Sequence, residues 1–122
     1  VIIYHIALAS DWERAKTVGE YRISTRGRTL EDEGFIHASY ANQVAGVAKA
    51  FYQGLSEPLV RLRIDTKRIP SEVIAENAGG GIELFPHIYG PLPVAAVLDT
   101  RPLVLDEDGD LIDGSAGPLA TG

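Results

Sequence analysis

Gly34-Phe35-Ile36-His37-Ala38-Ser39, running on through Tyr40 to Gln53, holds the change of rhythm that decides the fold. The first six residues read as a short strand: an apolar, partly β-branched run that opens on glycine and closes on serine, a helix-capping residue type. From Tyr40 onward the period lengthens. Val44, Val47, Ala48 and Phe51 fall at i, i+3, i+4 and i+7, one face of an amphipathic helix, and Gly54 ends it. Ser39 is therefore expected to cap that helix.

Working outward, Ile2 to Ala7 is a β-branched and aromatic run that reads as a buried strand. Ser10 and Glu13 have the spacing of a capping box, Trp12, Ala15 and Val18 share a helical face, and Gly19 is a terminator, so a short helix is expected over about residues 11–18. Tyr21 to Leu30 is polar and reads as a loop or ragged edge strand. Leu59 to Ile64 alternates: Val60, Leu62 and Ile64 face inward, and Arg61 and Arg63 are expected on a solvated face. Val73 to Glu76 reads as a short strand, Gly79-Gly80-Gly81 as a turn, and Ile82 to Tyr89 as an apolar run broken by Pro86. Pro91 and Pro93 form a rigid turn, and Val94 to Asp99 is a strand. Leu103-Val104-Leu105 and Leu111-Ile112 form a hairpin around a type I′ turn at Asp108-Gly109. Two helices in the N-terminal half among many short strands predict an α+β fold, not a βαβ repeat. Residues 1–113 are expected to form one domain and residues 114–122 a flexible tail.

The composition excludes several classes. With no cysteine there is no disulfide framework and no thiolate metal site, which fits a cytoplasmic setting. No apolar run approaches the ~20 residues needed to span a bilayer, so no membrane role is expected. The formal net charge is −6, with 11 Lys and Arg against 17 Asp and Glu. That balance is the reverse of a phosphate-backbone binder and argues against an extended nucleic-acid partner. A small anionic ligand needs only one or two arginines.

His5, His37 and His87 are the only histidines, and each stands in an apolar or aromatic run: Ile3-Tyr4-His5-Ile6, Phe35-Ile36-His37-Ala38 and Phe85-Pro86-His87-Ile88-Tyr89. Read separately, each is a core imidazole bonded to a backbone carbonyl. Read together, three imidazoles that are costly to bury unpaired point to one small-molecule site. Three chemistries fit such a site: a zinc or iron ion on three imidazoles, recognition of a ligand between aromatic walls, or general acid–base work. The chain has none of the close histidine pairs of common zinc motifs. Its carboxylates nearest the third histidine, Glu76 and Glu83, read equally well as solvated.

Tyr4-His5, Trp12, Tyr21, Gly34 to Ser39, Gln43, Phe51-Tyr52, Ile64-Asp65, Glu76 and Phe85-Pro86-His87-Ile88-Tyr89-Gly90-Pro91 resemble domain-of-unknown-function family 952, a small bacterial and plant family, from about Ile3 to Leu98. The resemblance implies an ADP-ribosyltransferase-like fold, a split pair of short sheets gripping NAD. The same strings are similar to RNA 2′-phosphotransferases, which carry one histidine on the first strand, a second before a helix, and a hydrophobic third position. His5, His37 with Ser39, and Ile88 or a neighbour match these.

On that resemblance the chain is expected to bind NAD, or a related small nucleotide, and to cleave the nicotinamide N-glycosidic bond with transfer of ADP-ribose. His5, His37 and His87 are the expected catalytic positions. His5 would hold the ribose hydroxyls, and His37 and Tyr89 would line the nicotinamide pocket. Ser39 would face a phosphate, and Arg61 or Arg63 would approach the pyrophosphate. The sequence departs from glutamate-dependent ADP-ribosyltransferases, since only Glu83 and Glu76 lie near the place of the late-strand glutamate. A non-catalytic small-ligand module is the alternative, and a histidine-held metal a further one.

Overall fold

The alternating segment predicted around Leu62 is the central strand of the molecule. In the computed structural model, which describes residues 1–77 and 81–112, strand β6 (Leu59–Asp65) pairs antiparallel on both sides. One neighbour is strand β1 (Ile2–Leu8), with His5 opposite Leu62. The other is strand β10 (Val97–Leu103). A central strand has no solvated edge, and here both faces are covered as well. Ile3, Ala7, Val60, Leu62 and Ile64 pack in one apolar layer with Trp12 and Ala15 of helix α1 (Ala9–Val18). On the opposite face Tyr4, Ile6, Leu59 and Leu103 pack against Val44, Ala48 and Tyr52 of helix α3 (Val44–Tyr52).

A second three-stranded antiparallel sheet holds strands β5 (Ile36–His37), β8 (Phe85–Ile88) and β7 (Val73–Glu76), with β8 in the middle. The sequence reading expected Pro86 to break this run, but β8 passes through it. The Pro86 carbonyl still accepts from the Ala38 N–H at 3.0 Å, so the missing donor costs the strand little. Gly90, which follows β8, has a packing reason: a Cβ there would fall 2.6 Å from the Cβ of Ser71. Two short antiparallel pairs complete the strands. Strand β2 (Glu20–Tyr21) pairs with β9 (Leu92–Pro93), and β3 (Ile23–Thr25) pairs with β4 (Arg28–Thr29).

Several expectations are corrected. Ser10 lies inside α1, and no side chain caps that helix, because the chain already turns helical at Ala9. Val18 is exposed and does not share the buried face of Trp12 and Ala15. The polar stretch after Tyr21 is more ordered than a loop: it contains β3 and β4 and ends in a one-turn helix, α2 (Leu30–Glu33). There the Thr29 hydroxyl accepts from the Asp32 N–H at 3.2 Å, while the Asp32 carboxylate accepts from the Thr29 N–H at 3.0 Å. The helix after Ser39 begins with a 3-10 turn over Ala41–Gln43, and its buried face runs through Val44, Ala48 and Tyr52 and leaves Phe51 exposed.

Ser39 caps nothing. Its backbone forms both bonds of an isolated bridge with Tyr4, Tyr4 N–H to Ser39 O at 2.8 Å and Ser39 N–H to Tyr4 O at 2.7 Å. After Leu92–Pro93 a 3-10 turn at Val94–Ala96 shortens the predicted strand from its front. The Asp108-Gly109 turn is not type I′. The Gly109 N–H bonds Asp106 O at 3.0 Å, so the turn is centred on Glu107-Asp108 and Gly109 follows it at φ 85°. Residues 114–122, and Gly79 and Gly80 of the expected glycine turn, lie outside the described residues.

The two main sheets meet at the Tyr4–Ser39 bridge, and His5 reinforces that junction. Its Nδ1–H donates to the His37 carbonyl at 2.5 Å, and its Nε2 accepts from the Tyr21 hydroxyl at 2.9 Å. Burial pushes the imidazole down to about 4, against a smaller upward pull from the bond to His37. The folded protein therefore keeps His5 neutral down to about pH 4, whereas an unfolded chain protonates it near pH 6.5. Between those values the unfolded state binds more protons, so stability is complete above pH 6.5 and is lost as pH falls toward 4. We expect this residue to contribute about 3 kcal/mol to that acid destabilisation. Urea unfolding of the wild type and His5→Gln across pH 4–7 checks it: the variant should be less stable at pH 7 and show a shallower pH slope.

Candidate functional site

The β5–β8 pairing places His37 directly opposite His87, so both imidazoles stand on the same face of the second sheet. Their ring centroids are 4.9 Å apart and the rings are nearly perpendicular, at 87°. Phe35 packs against both rings. It stacks on His87 at 4.0 Å and meets His37 edge-on at 4.8 Å. The pair faces a cavity of about 760 Å³ between the second sheet, β3–β4 and α3, within the size range of small-molecule sites. Ser39, Phe51 and Phe85 also line it.

Each of the two histidines is backed by a carboxylate. His37 Nε2 lies 3.2 Å from Glu33 Oε1, and the other oxygen of Glu33 takes the Arg28 guanidinium at 2.7 Å. This arrangement follows from the local sequence. The Thr29–Asp32 capping box winds α2, Gly34 turns the chain at φ 87°, and Glu33 then points at the residue four positions on. Burial lowers the pKa of His37, and the bond to Glu33 opposes that shift. His87 Nδ1 lies 2.9 Å from Glu76 Oε1, which also accepts from the Tyr89 hydroxyl. Hydrogen bonds from Tyr89 and His87 hold the Glu76 carboxyl below its ordinary value, and the same contact raises the Tyr89 phenol.

The proton positions follow from these partners. A carboxylate only accepts, so the N–H of His37 is on Nε2 and that of His87 on Nδ1. In the neutral rings this leaves the lone pairs on His37 Nδ1 and His87 Nε2. Two carboxylate-oriented imidazoles at one cavity wall can accept a ligand hydroxyl or remove a proton.

The structure brings the three histidines to one cavity but gives them different work. His5 lines its floor with both nitrogens already bonded inside the protein, the arrangement the separate reading expected, so it has no spare polar atom for a ribose hydroxyl. The same bonding removes it from a three-histidine metal set. Among the described residues the group that places three ligand atoms within 4.8 Å is instead Asp106, Asp108 and Asp110, exposed on the turn. Ser39 lines the cavity, its backbone held by the bridge to Tyr4. Tyr89 stands behind His87, bonded to Glu76, and does not line the cavity.

Arg61 and Arg63 do not line it either. Arg61, expected on a solvated face, is 2% exposed, since that face of β6 carries the Tyr4 and Leu59 layer. Its guanidinium sits 5.3 Å from the Tyr4 ring centroid and 2.8 Å from Asp99, which Arg63 also reaches at 2.8 Å. Sequence reading missed Glu33, the carboxylate that joins His37 to Arg28. The T-x-x-D box at Thr29 and the four-residue spacing from Glu33 to His37 were the available signals. Glu83 turns to Gln43, whose Nε2 donates to it at 3.0 Å and to the Leu84 carbonyl at 2.8 Å.

Fold and site together define an α+β domain of several antiparallel sheets with a histidine- and aromatic-lined cavity. The chain belongs to the family described as "Protein of unknown function (DUF952)", which matches residues 6–100. It is similar to protein CC0527 from Caulobacter crescentus. The X-ray structure of that protein aligns with a TM-score of 0.78 at 31% identity, covering 93% of this chain and 96% of that one. Its solution NMR structure aligns at 0.73, with 31% identity and 93% of each chain covered. Comparison with curated proteins finds no match. No helix among the described residues is long and apolar enough to cross a membrane.

Glu33→Gln should lower the His37 pKa further, because it removes the charge that opposes burial. Titration of the His37 ring signals by NMR in wild type and variant measures this directly. An unchanged or raised value would mean that the Glu33–His37 contact is absent in solution.

Proposed function

We propose that this protein binds a nucleoside- or nucleotide-like small molecule, with NAD the first candidate, in the cavity lined by His37, His87 and Phe85. One observation carries the reading: two cross-strand imidazoles, each oriented by its own carboxylate, share a cavity wall with an aromatic ring. Neutral imidazoles suit sugar hydroxyls, and the exposed ring of Phe51 and the ring of Phe85 suit a flat base. Two separate three-stranded sheets beside one cavity support kinship with the split-sheet fold of ADP-ribosyltransferases.

On this reading the protein cleaves the nicotinamide N-glycosidic bond and transfers the ADP-ribosyl group. The bonding electrons leave with nicotinamide, a neutral leaving group, and positive charge develops on the sugar carbon. Glu33 is the carboxylate beside His37 that would face this charge, and it fills the part that the late-strand glutamate plays elsewhere. His37 Nδ1 or His87 Nε2 would take the proton of the incoming acceptor.

Calorimetric titration with NAD, paired with an assay for released nicotinamide, tests the proposal. Binding should weaken at least about tenfold in His37→Ala and His87→Ala variants whose circular dichroism is unchanged. No heat and no nicotinamide release at about 1 mM NAD, the upper end of common substrate affinities, would remove it.

A further inference from the structure

The contacts of His37 lead outward to two arginines on the β3–β4 pair. From His37 Nε2 the path runs to Glu33 at 3.2 Å and on to the Arg28 guanidinium at 2.7 Å. Arg28 lines the cavity together with Ser24 and Thr25 of β3. Its bond to Glu33 leaves it further N–H donors, but the carboxylate cancels most of its charge. Arg26 stands two residues back, across the turn at Gly27. Its Nη1 donates to the carbonyl of Phe51, a lining residue near the end of α3, at 3.4 Å. Tyr52 also lines the cavity, and its phenol is raised by burial and lowered by the Arg26 backbone and charge beside it.

All 11 Lys and Arg of the chain lie within the described residues. Among those residues Arg26, Lys67 and Arg101 form no ion pair, and Arg26 is the one bonded to a residue of the cavity lining. The other lining carboxylate, Glu83, is bound to Gln43 at the opposite end of α3. At 1.5 Å per residue that end is about 12 Å from Phe51, beyond the screening length of about 8 Å at physiological salt.

We propose that Arg26 binds the phosphate of the ligand, with Arg28 donating beside it, so that a nucleotide seats its sugar at His37 and His87 and its phosphate at the β3–β4 turn. The proposal rests on the nucleotide-like reading above and gives this turn the role expected of Arg61 or Arg63. The order suits a nucleotide, whose 5′-phosphate hangs one carbon from the sugar ring. The turn adjoins His37 directly, since the Ser24 hydroxyl accepts from the His37 N–H at 3.3 Å. Arg26 is free to change partner: its bond to Phe51 is at the long end of the hydrogen-bond range, and a charged phosphate oxygen makes a stronger one.

Two probes that differ by one phosphate give the test. By calorimetry nicotinamide mononucleotide should bind about tenfold more tightly than nicotinamide riboside at low salt, and the ratio should shrink as salt rises. Arg26→Gln should remove most of that ratio and leave riboside binding as in the wild type. Arg26→Lys should restore part of it, because the charge returns without the planar fork. Arg101→Gln removes an equal charge away from the cavity and should leave the ratio unchanged. Circular dichroism checks folding, and if Arg26→Gln does not fold, the Arg26→Lys ratio and the wild-type salt dependence decide. Equal binding of the two probes, a ratio untouched by Arg26→Gln, or an equal loss in Arg101→Gln overturns this inference and leaves the nucleotide-like reading intact. Failure of both probes to bind removes that reading and this inference with it.

Discussion

One buried imidazole ties the structure together. His5 sits on the edge strand of the first sheet, donates to a backbone carbonyl of the second and accepts from a tyrosine next to α1. Beside it, Tyr4 and Ser39 exchange both backbone bonds. Without these contacts the edge of β1 and the short strand β5 would present unpaired polar groups to a dry interior, at a cost of about 1–3 kcal/mol for each. With them the junction is satisfied, and the His37 carbonyl is held so that its side chain turns toward the cavity. A residue that seemed a candidate for chemistry is thus the one that positions the candidates.

The arrangement divides labour between two kinds of charged contact. On the first sheet Asp99 binds Arg61 and Arg63 in a closed set, and the two arginines hold its carboxyl low although burial pushes it up. There Asp99 accepts one bond from each arginine. At the cavity the carboxylates instead hold imidazole N–H groups and leave lone pairs on the opposite nitrogens. The same elements, carboxylate and nitrogen donor, give a structural clamp in one place and reactive groups in the other. What differs is whether the donor has a second, acceptor nitrogen, which histidine has and arginine lacks.

Much of this was legible in the chain. The strand rhythm of Leu59 to Ile64, the helix through Val44 and Ala48, and the histidines in their apolar runs all come from local periodicity, and the structure keeps them. The capping box at Thr29 was present but hidden in a polar stretch, and with it went Glu33. The fate of Arg61 was not local at all. Alternation puts it opposite Leu62, but whether that face meets water depends on α3 covering it, a contact between residues far apart in the chain.

The sequence by itself determined the long strands and the two main helices, because propensity and spacing act over a few residues. It also set the excess of negative charge and the absence of thiol chemistry. Only the tertiary structure decided which histidine is bound into the frame and which two face the cavity. That choice depends on register: pairing β5 with β8 sets His37 against His87, and packing β1 against the second sheet consumes both nitrogens of His5. Hydrogen-bond partners are assigned by this assembly, since the same imidazole is a strut or a base according to which backbone arrives beside it.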